Sequence, residues 1–226
     1  MASDPELLHA WRAGDGTAGS ALFHRHFDAI HRFFRNKLDT DIEDLVQRTF
    51  IACVEGRDRF REESSFRTYL FAVAHNLLKE HLRRKRRAPE PLDLDLVSAV
   101  DLGASPLSLM AAHAEEKILL QALRQIPLAA QTVLELYYWE ALTGGEIGEL
   151  LGVPEDTARS RLRRARLLLE AEIQRLQASP HATHSTLSNL DHWAAGLRRH
   201  MSAPPIPSTP SDPPTHTRPG PGLDPQ

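Results

Sequence analysis

The sequence predicts an all-α protein with two small helical domains, a flexible linker between them and a disordered C-terminal tail. Apolar residues recur at steps of three and four over residues 19–87 and again over 106–177, which is the spacing of one buried helix face. No run of alternating β-branched residues indicates a strand. A length of 226 residues suits one large domain or two small ones.

The first domain is predicted to occupy residues 1–87 and to contain three long helices. The first helix carries one apolar stripe, formed by Leu22, Phe23, Phe27, Ile30, Phe33, Phe34 and Leu38. The second begins at Asp41 and ends at Gly56, because a glycine suits a helix C-terminus. The third runs from about Ser65 to five consecutive cations, Arg83 to Arg87.

The rest of the chain divides into a linker, a second domain and a tail. Residues 88–105 are acidic, rich in turn formers and without helical period, which indicates a linker. Residues 106–177 are helical again. Residues 178–226 hold ten of the sixteen prolines, so most of this tail is expected to be disordered.

The tail contains one exception, a short amphipathic helix predicted near residues 187–200. Its apolar stripe is Leu187, Leu190, Trp193, Ala194 and Leu197. A helix of this length needs a surface to hold it in water. It could dock onto the protein's own domains or onto a regulatory partner, and a passive tail is the alternative.

Residues 142–172 carry the signals of a helix-turn-helix. Thr143 and Glu146 have the spacing of a capping box, so a short helix is expected to begin there. Gly152 ends this helix, and Pro154 suits the first turn of the next one. Two helices joined by a tight glycine turn form a helix-turn-helix.

The second of these helices is expected to expose a polar face that suits DNA. The face comprises Arg159, Ser160, Arg161, Arg163, Arg164 and Arg166. An arginine can bind the O6 and N7 atoms of guanine in a bidentate manner or hold a phosphate, and serine hydroxyls suit several bases. A merely solvated arginine-rich helix is the alternative.

A second basic cluster ends the third helix of the first domain. It comprises Lys79, Arg83, Arg84, Lys85, Arg86 and Arg87. Upstream, aromatic and polar side chains interleave, namely Phe60, Arg61, Ser64, Ser65, Phe66, Arg67, Tyr69 and Phe71. This mixture suits unstacked single-stranded bases. Core packing explains the aromatic residues equally well, and cations also suit the C-terminus of any helix.

An acidic run precedes the second helix. It consists of Asp39, Asp41, Glu43 and Asp44, and Leu45, Gln47 and Phe50 follow it. Negative charge at a helix N-terminus is sufficient to explain part of this pattern. A surface for a protein partner is the sharper interpretation.

Composition limits the other functions. The net charge of −3 means that any nucleic-acid role depends on local basic clusters. The single cysteine favours a reducing compartment, and neither a signal peptide nor a stretch of about 20 apolar residues occurs, so a soluble cytoplasmic protein is expected without membrane insertion. No glycine-rich phosphate loop, zinc-ligand spacing or nucleophile elbow is present, so we expect no enzyme, metal or cofactor.

Three segments, in this order, carry a resemblance to a known family: DIEDLVQRTFIACVE, FRTYLFAVAHNLLKEHLRRKRR and IPLAAQTVLELYYWEALTGGEIGELLGVPEDTARSRLRRARLLLE. Over about residues 5–176 the chain resembles bacterial RNA polymerase sigma factors of the extracytoplasmic-function (ECF) type. The resemblance implies that residues 1–87 are sigma region 2, which binds the polymerase clamp and the −10 element. It implies that residues 106–177 are region 4, which binds the −35 element. Core RNA polymerase and promoter DNA are the implied partners, and an anti-sigma factor or another regulator is a conceivable further one.

The resemblance also assigns roles to residues. Asp41, Asp44, Leu45, Gln47 and Phe50 are expected to face the clamp. Phe60, Arg61, Ser64 and Ser65 resemble the loop that captures a flipped −10 base, with Asn76 beside it, and Lys79, Arg83 and Arg84 are expected to hold phosphates. Arg159, Ser160, Arg163 and Arg164 match positions that enter the −35 major groove, and Arg161 and Arg166 match phosphate contacts. The chain departs from the family at Arg48, often Glu, and at Glu62 or Glu63, where a glycine is common.

Two rival functions remain. An ordinary helix-turn-helix regulator would bind an operator without replacing a sigma factor, but it has no use for the DIEDLVQ segment. A polymerase-binding regulator without promoter recognition would keep the acidic run and lose the recognition-helix arginines, which this chain retains.

Overall fold

The structure, a computed structural model, describes residues 2–86, 93–104 and 114–176. The helices in these ranges are α1 (Asp4–Arg12), α2 (Gly16–Arg35), α3 (Ile42–Gly56), α4 (Phe66–Arg86), α5 (Ala114–Gln125), α6 (Leu128–Tyr138), α7 (Gly144–Leu151) and α8 (Glu155–Leu176). One 3-10 turn, Arg57–Arg59, follows α3. The all-α prediction is confirmed for the described ranges. The helix predicted near 187–200 lies outside them.

Helix α1 was not predicted from the sequence. It lies before residue 19, where the predicted helical structure begins. Ser3 and Glu6 form a complete capping box, in which the Glu6 carboxylate accepts from the Ser3 N–H at 2.6 Å. Pro5 lies in the first turn, where its missing N–H has no cost. These local signals stand in the sequence and could have identified the helix.

Helices α2, α3 and α4 build the first helical unit. Leu22, Ile30 and Phe34 on α2 are buried as predicted, and Leu38 is buried just after the helix. Helices α3 and α4 each begin one residue after the predicted start.

The acidic cap expected at the start of α3 is corrected in part. Asp41 precedes the helix with φ 65°, and its side chain makes no capping hydrogen bond. Its carboxylate instead accepts from the Thr40 hydroxyl at 3.0 Å and lies 3.6 Å from His81 Nε2. Glu43 and Asp44 occupy the first turn, where negative charge suits the helix dipole.

Part of the predicted linker is held in place. Residues 93–104 form turns against the start of α6. The N–H groups of Leu128 and Ala129 donate to the carbonyls of Val97 and Leu94 at 2.9 and 3.0 Å. The first N–H groups of a helix have no partner within it, so this segment supplies acceptors. Residues 93–104 of the predicted linker therefore contact the N-terminus of α6.

The helix-turn-helix forms as predicted, except that Pro154 lies just before α8, which begins at Glu155. Glu146 accepts from the Thr143 N–H at 2.8 Å, which completes the capping box. Gly152 ends α7 in the left-handed conformation, at φ 67°. Gly148 allows the turn to close, because an added Cβ would lie 2.8 Å from the Val153 carbonyl oxygen. The buried side of α8 is Ala158, Leu162, Ala165, Leu169 and Ile173.

The two helical units are docked against each other through buried charges, which the sequence did not predict. Glu140, at the end of α6, accepts from Arg32 at 2.7 Å and from Arg67 at 2.6 Å. Lys37, after α2, pairs with Glu135 of α6. These pairs fix how the second unit lies on the first.

Candidate nucleic-acid interface

The outer side of α8 is a continuous basic surface. All six side chains that the sequence assigned to it are exposed, namely Arg159, Ser160, Arg161, Arg163, Arg164 and Arg166. A helix turns by about 100° per residue, so Ser160 and Arg163 point away from the buried stripe on Leu162 and Leu169. Both side chains can therefore enter the major groove of duplex DNA, which is wide enough to admit a helix.

The arginines on the two flanks of α8 have different surroundings. Arg166 lies 5.3 Å from the ring centres of both Tyr137 and Tyr138, a cation–π arrangement. Arg159 pairs with Glu155 one turn earlier, at 2.5 Å. Both arginines line a groove of about 420 Å³ between α8 and the start of α7. On the opposite flank, Arg161 lines a smaller cavity of about 230 Å³.

The loop between α3 and α4 is compact. Glu62 takes a left-handed conformation, φ 59°, which residues other than glycine rarely adopt. Ser65 caps α4, because its hydroxyl accepts from the Thr68 N–H at 3.0 Å. Arg61 and Ser65 are exposed, and Ser64 is half-buried.

The structure separates the aromatic residues of this region into core and surface. Phe66 and Phe71 are buried, so core packing explains them. Phe60 and Tyr69 are half-buried and stack on each other with ring centres 4.6 Å apart. They are the aromatic surface left beside the exposed loop.

The basic end of α4 presents one polar face. Asn76, Lys79 and Arg83 are exposed and spaced by three and four residues, so they share this face. Arg84 is also exposed and pairs with Glu80.

The acidic surface on α3 is exposed except at one position. Asp41, Asp44 and Gln47 are exposed and Phe50 is half-buried. Leu45 has no exposed surface, so the expectation that it faces a partner is corrected: it packs in the core and positions the helix. Its neighbours in sequence face outward because the helix rotates them away from the core.

An apolar groove of about 500 Å³ runs between α2 and α3, and the sequence had not identified it. Phe23, Phe27 and Phe50 form its floor, and Ile51 and Val54 lie on its rim with nearly half of each side chain exposed. Exposed large apolar residues in a cluster commonly mark a binding surface. The apolar spacing of α3 predicted a helix but could not tell its core side from this second side.

Burial lowers the pKa of two histidines near these surfaces. Burial lowers the pKa of His75 to about 4, and the charges of Lys79 and Lys37 act in the same direction. In the groove, burial lowers the pKa of His31 and the nearby Arg35 adds to the effect, against an opposing contribution from Glu43.

Comparisons with known proteins decide the family. The family described as Sigma-70 region 2 matches residues 22–88, and Sigma-70, region 4 matches residues 116–169. The ECF RNA polymerase sigma-E factor of Haemophilus influenzae is 30% identical over 183 residues, which cover 77% of this chain and 97% of that protein. The chain belongs to the ECF sigma factor family. The sigma-E factor of Escherichia coli K12 is 27% identical over the same length, covering 77% of this sigma factor and 96% of its own chain.

Two solved structures share the fold of this sigma factor. CnrH, in complex with the cytosolic domain of CnrY, has a TM-score of 0.53 at 20% identity, covering 76% of this chain and 97% of its own. RpoE of Bartonella quintana, in complex with the anti-sigma factor NepR, has a TM-score of 0.50 at 18% identity, covering 68% and 93%.

Within residues 2–86, 93–104 and 114–176, no helix combines the length and the apolar character needed to cross a bilayer. The same residues hold no group of three His, Cys, Asp or Glu side chains arranged to bind a metal ion.

Proposed function

We propose that this sigma factor binds core RNA polymerase and directs promoter-specific initiation, using α8 for the −35 element and the α3–α4 loop with α4 for the −10 element. The observation that carries the proposal is the presence of two exposed basic surfaces of different chemistry on one chain. One is an arginine-rich helix suited to duplex DNA, and the other combines a compact loop with a basic helix face suited to a single strand.

At the −35 element, we assign base contacts to Arg159, Ser160, Arg163 and Arg164, all on the exposed side of α8. A bidentate arginine distinguishes guanine from the other bases in the major groove. We assign phosphate contacts to Arg161 and Arg166, the positions to which the resemblance gives that role. The tyrosine rings beside Arg166 hold its guanidinium near that flank.

At the −10 element, we assign capture of an unstacked base to the loop with Phe60, Arg61, Ser64 and Ser65, assisted by Asn76. Lys79, Arg83 and Arg84 follow as phosphate contacts along α4. No covalent step is involved: the free energy for strand separation comes from phosphate neutralisation and base stacking on the protein.

We assign polymerase binding to Asp41, Asp44, Gln47 and Phe50, with Leu45 as buried support. The groove between α2 and α3 adjoins Gln47 and Phe50 and extends this surface with apolar area. A charged rim around an apolar centre is the usual composition of a protein interface.

The rest of the proposal follows from this role. A sigma factor is not an enzyme, and the compartment that fits it is the cytoplasm, where polymerase and promoter meet. CnrH and RpoE are each described in complex with a regulatory partner, CnrY and the anti-sigma factor NepR. We extend to this chain the proposal that an anti-sigma factor or another regulator controls it.

The test is transcription in vitro with core polymerase and a library of genomic fragments, with and without the protein. We expect specific transcripts only with the protein. Core polymerase with Arg163→Ala protein is the matched control, because this change removes one exposed recognition arginine and leaves the buried stripe of α8 intact. Tight binding to a duplex operator without polymerase, together with no specific transcript, would establish the rival helix-turn-helix regulator.

A further inference from the structure

We propose that Arg12, at the end of α1, is the positioning residue of the −10 capture loop. The inference rests on the proposed function, because it assigns the loop to an unstacked promoter base. It adds a role for α1, which lies outside the matched region 2 at residues 22–88. Arg12 does not touch DNA in this proposal; it determines the shape of the loop that does.

Arg12 binds the loop at three successive places. Its Nε and Nη2 donate to the Arg57 carbonyl at 3.2 and 3.1 Å, and Nη2 also donates to the Phe60 carbonyl. Its Nη1 pairs with the carboxylate of Glu62. The guanidinium also lies 5.8 Å from the centre of the Phe60 ring. One side chain thus joins both ends of the turn that follows α3.

The two carbonyls that Arg12 binds belong to the residues that follow α3 and the 3-10 turn. The last carbonyls of a helix have no N–H donor within it, so they need water or a side chain. Arg57 immediately follows α3, and Phe60 follows the 3-10 turn. Arg12 supplies the donors, which allows the chain to reverse tightly there.

Glu62 explains why this loop needs a tether. A residue other than glycine rarely adopts a φ of 59°. The ion pair with Arg12 holds Glu62 in that backbone conformation. His9, one turn before Arg12, has its Nε2 3.6 Å from the same carboxylate. Arg12 and His9 thus hold this glutamate in place from α1.

Helix α1 is anchored independently of the loop, so Arg12 starts from a fixed position. The Trp11 ring meets the Phe23 ring edge-on at 5.1 Å. At the other end, Asp4 pairs with Arg25 at 2.5 Å and with His26 at 2.7 Å. Lysine could not replace Arg12, because a single ammonium cannot donate to two carbonyls and a carboxylate with the geometry of a planar fork.

A loop held in advance loses less conformational freedom when it captures a base, so single-stranded DNA binds more tightly. The expected effect of Arg12→Ala is a loss of about tenfold in affinity for the single-stranded −10 element, because the released loop must then be ordered when it captures a base. Core binding should not change, because the acidic surface of α3 lies outside the contacts of Arg12.

The experiment uses holoenzyme assembled from core polymerase and the full chain. The probe is a fluorescent single-stranded DNA with the non-template −10 sequence of a promoter found in the transcription test. The variants are Arg12→Ala, Arg12→Lys and Glu62→Gln. The matched control is Arg175→Ala, which also removes an arginine and its ion pair, but on α8, where the partner is Glu172 rather than a residue of α1 or the loop.

We expect Arg12→Ala and Arg12→Lys to weaken probe binding and to slow permanganate-detected melting by about tenfold, with Glu62→Gln intermediate and Arg175→Ala unchanged. Thermal unfolding of each protein separates loss of fold from loss of positioning. If Arg12→Ala is unstable, Glu62→Gln on the exposed loop tests the inference instead. Equal behaviour of the Arg12 and Arg175 variants would overturn the inference while wild-type transcription stands. Absence of specific transcripts with the wild type would overturn the proposed function instead.

Discussion

The ammonium group of Lys37 lies fully buried against the carboxylate of Glu135, and this pair joins the two helical units of the protein. Lys37 also donates to the Phe33 carbonyl at 3.0 Å and lies 3.8 Å from the centre of that ring. Burial lowers the pKa of Lys37, against the opposing effect of Glu135. Such a pair adds little stability over an apolar contact, but removal of one partner leaves a charge without compensation.

Glu135→Gln should therefore destabilise the protein by about 3 to 5 kcal/mol, since it leaves the Lys37 charge buried. Denaturant unfolding measures this change. The control is Arg175→Ala, which breaks the solvent-exposed pair with Glu172 and should cost far less stability, because water screens such a pair. The double variant Lys37→Met/Glu135→Leu should recover most of the loss, because it removes both charges. If Glu135→Gln lost as little stability as Arg175→Ala, the Lys37–Glu135 pair would be exposed to water in solution.

Arg159→Ala and Arg164→Ala should each cost about 1 to 3 kcal/mol in holoenzyme binding to a matched −35 element, if these arginines read bases. Arg166→Ala should weaken binding to matched and mismatched elements alike, because a phosphate contact carries no sequence information. Arg175→Ala, near the far end of α8, is the control for loss of one positive charge. Competition binding with mutated −35 sequences measures the difference. If all three substitutions weakened binding to matched and mismatched elements equally, all three arginines would contact phosphates only.

His75 should make the stability of the protein depend on pH. Its pKa is about 4 in the fold and about 6.5 in an unfolded chain, so the unfolded state binds the proton more readily between these values. Stability is complete above pH 6.5 and falls as the pH drops towards 4, by up to roughly 3 kcal/mol from this group.

His75→Gln should remove this part of the pH dependence. Unfolding free energies measured at about pH 7.5, 6.0 and 5.0 give the slope of stability against pH for the wild type and for the His75→Gln variant. Other buried histidines, His26 and His31 among them, contribute equally to both, so the difference in slope reports His75. Parallel curves would show that His75 stays accessible to protons without cost.

Cys53 should not react with thiol reagents in the native protein. Its side chain has no exposed surface, and burial raises its pKa to about 12, so the reactive thiolate is absent near neutral pH. Labelling with a chromogenic disulfide reagent at pH 8 should proceed only at the rate of unfolding. Denatured protein, which should label at once, is the control, and rapid native labelling would show that the core of the first unit opens readily.

The sequence by itself determined the elements whose signals are local. Thr143 with Glu146 and Gly152 predicted where α7 begins and ends, because a capping box and a left-handed glycine act within one turn of the chain. The exposed arginines of α8 followed from helical period alone. The missed helix α1 belongs to the same class, since Ser3 and Glu6 carry an equally local signal.

Only the tertiary structure decided which residues meet across the chain. Leu45 and Gln47 both lie in the segment expected to face polymerase, yet one is buried and the other exposed, because the docking of α3 onto α2 and α4 sets its inner side. Arg12 reaches Glu62 and Lys37 reaches Glu135 across 50 and 98 positions. The helical period sets the direction in which each side chain leaves the helix axis. Which charged side chains pair with each other depends on how the helices pack.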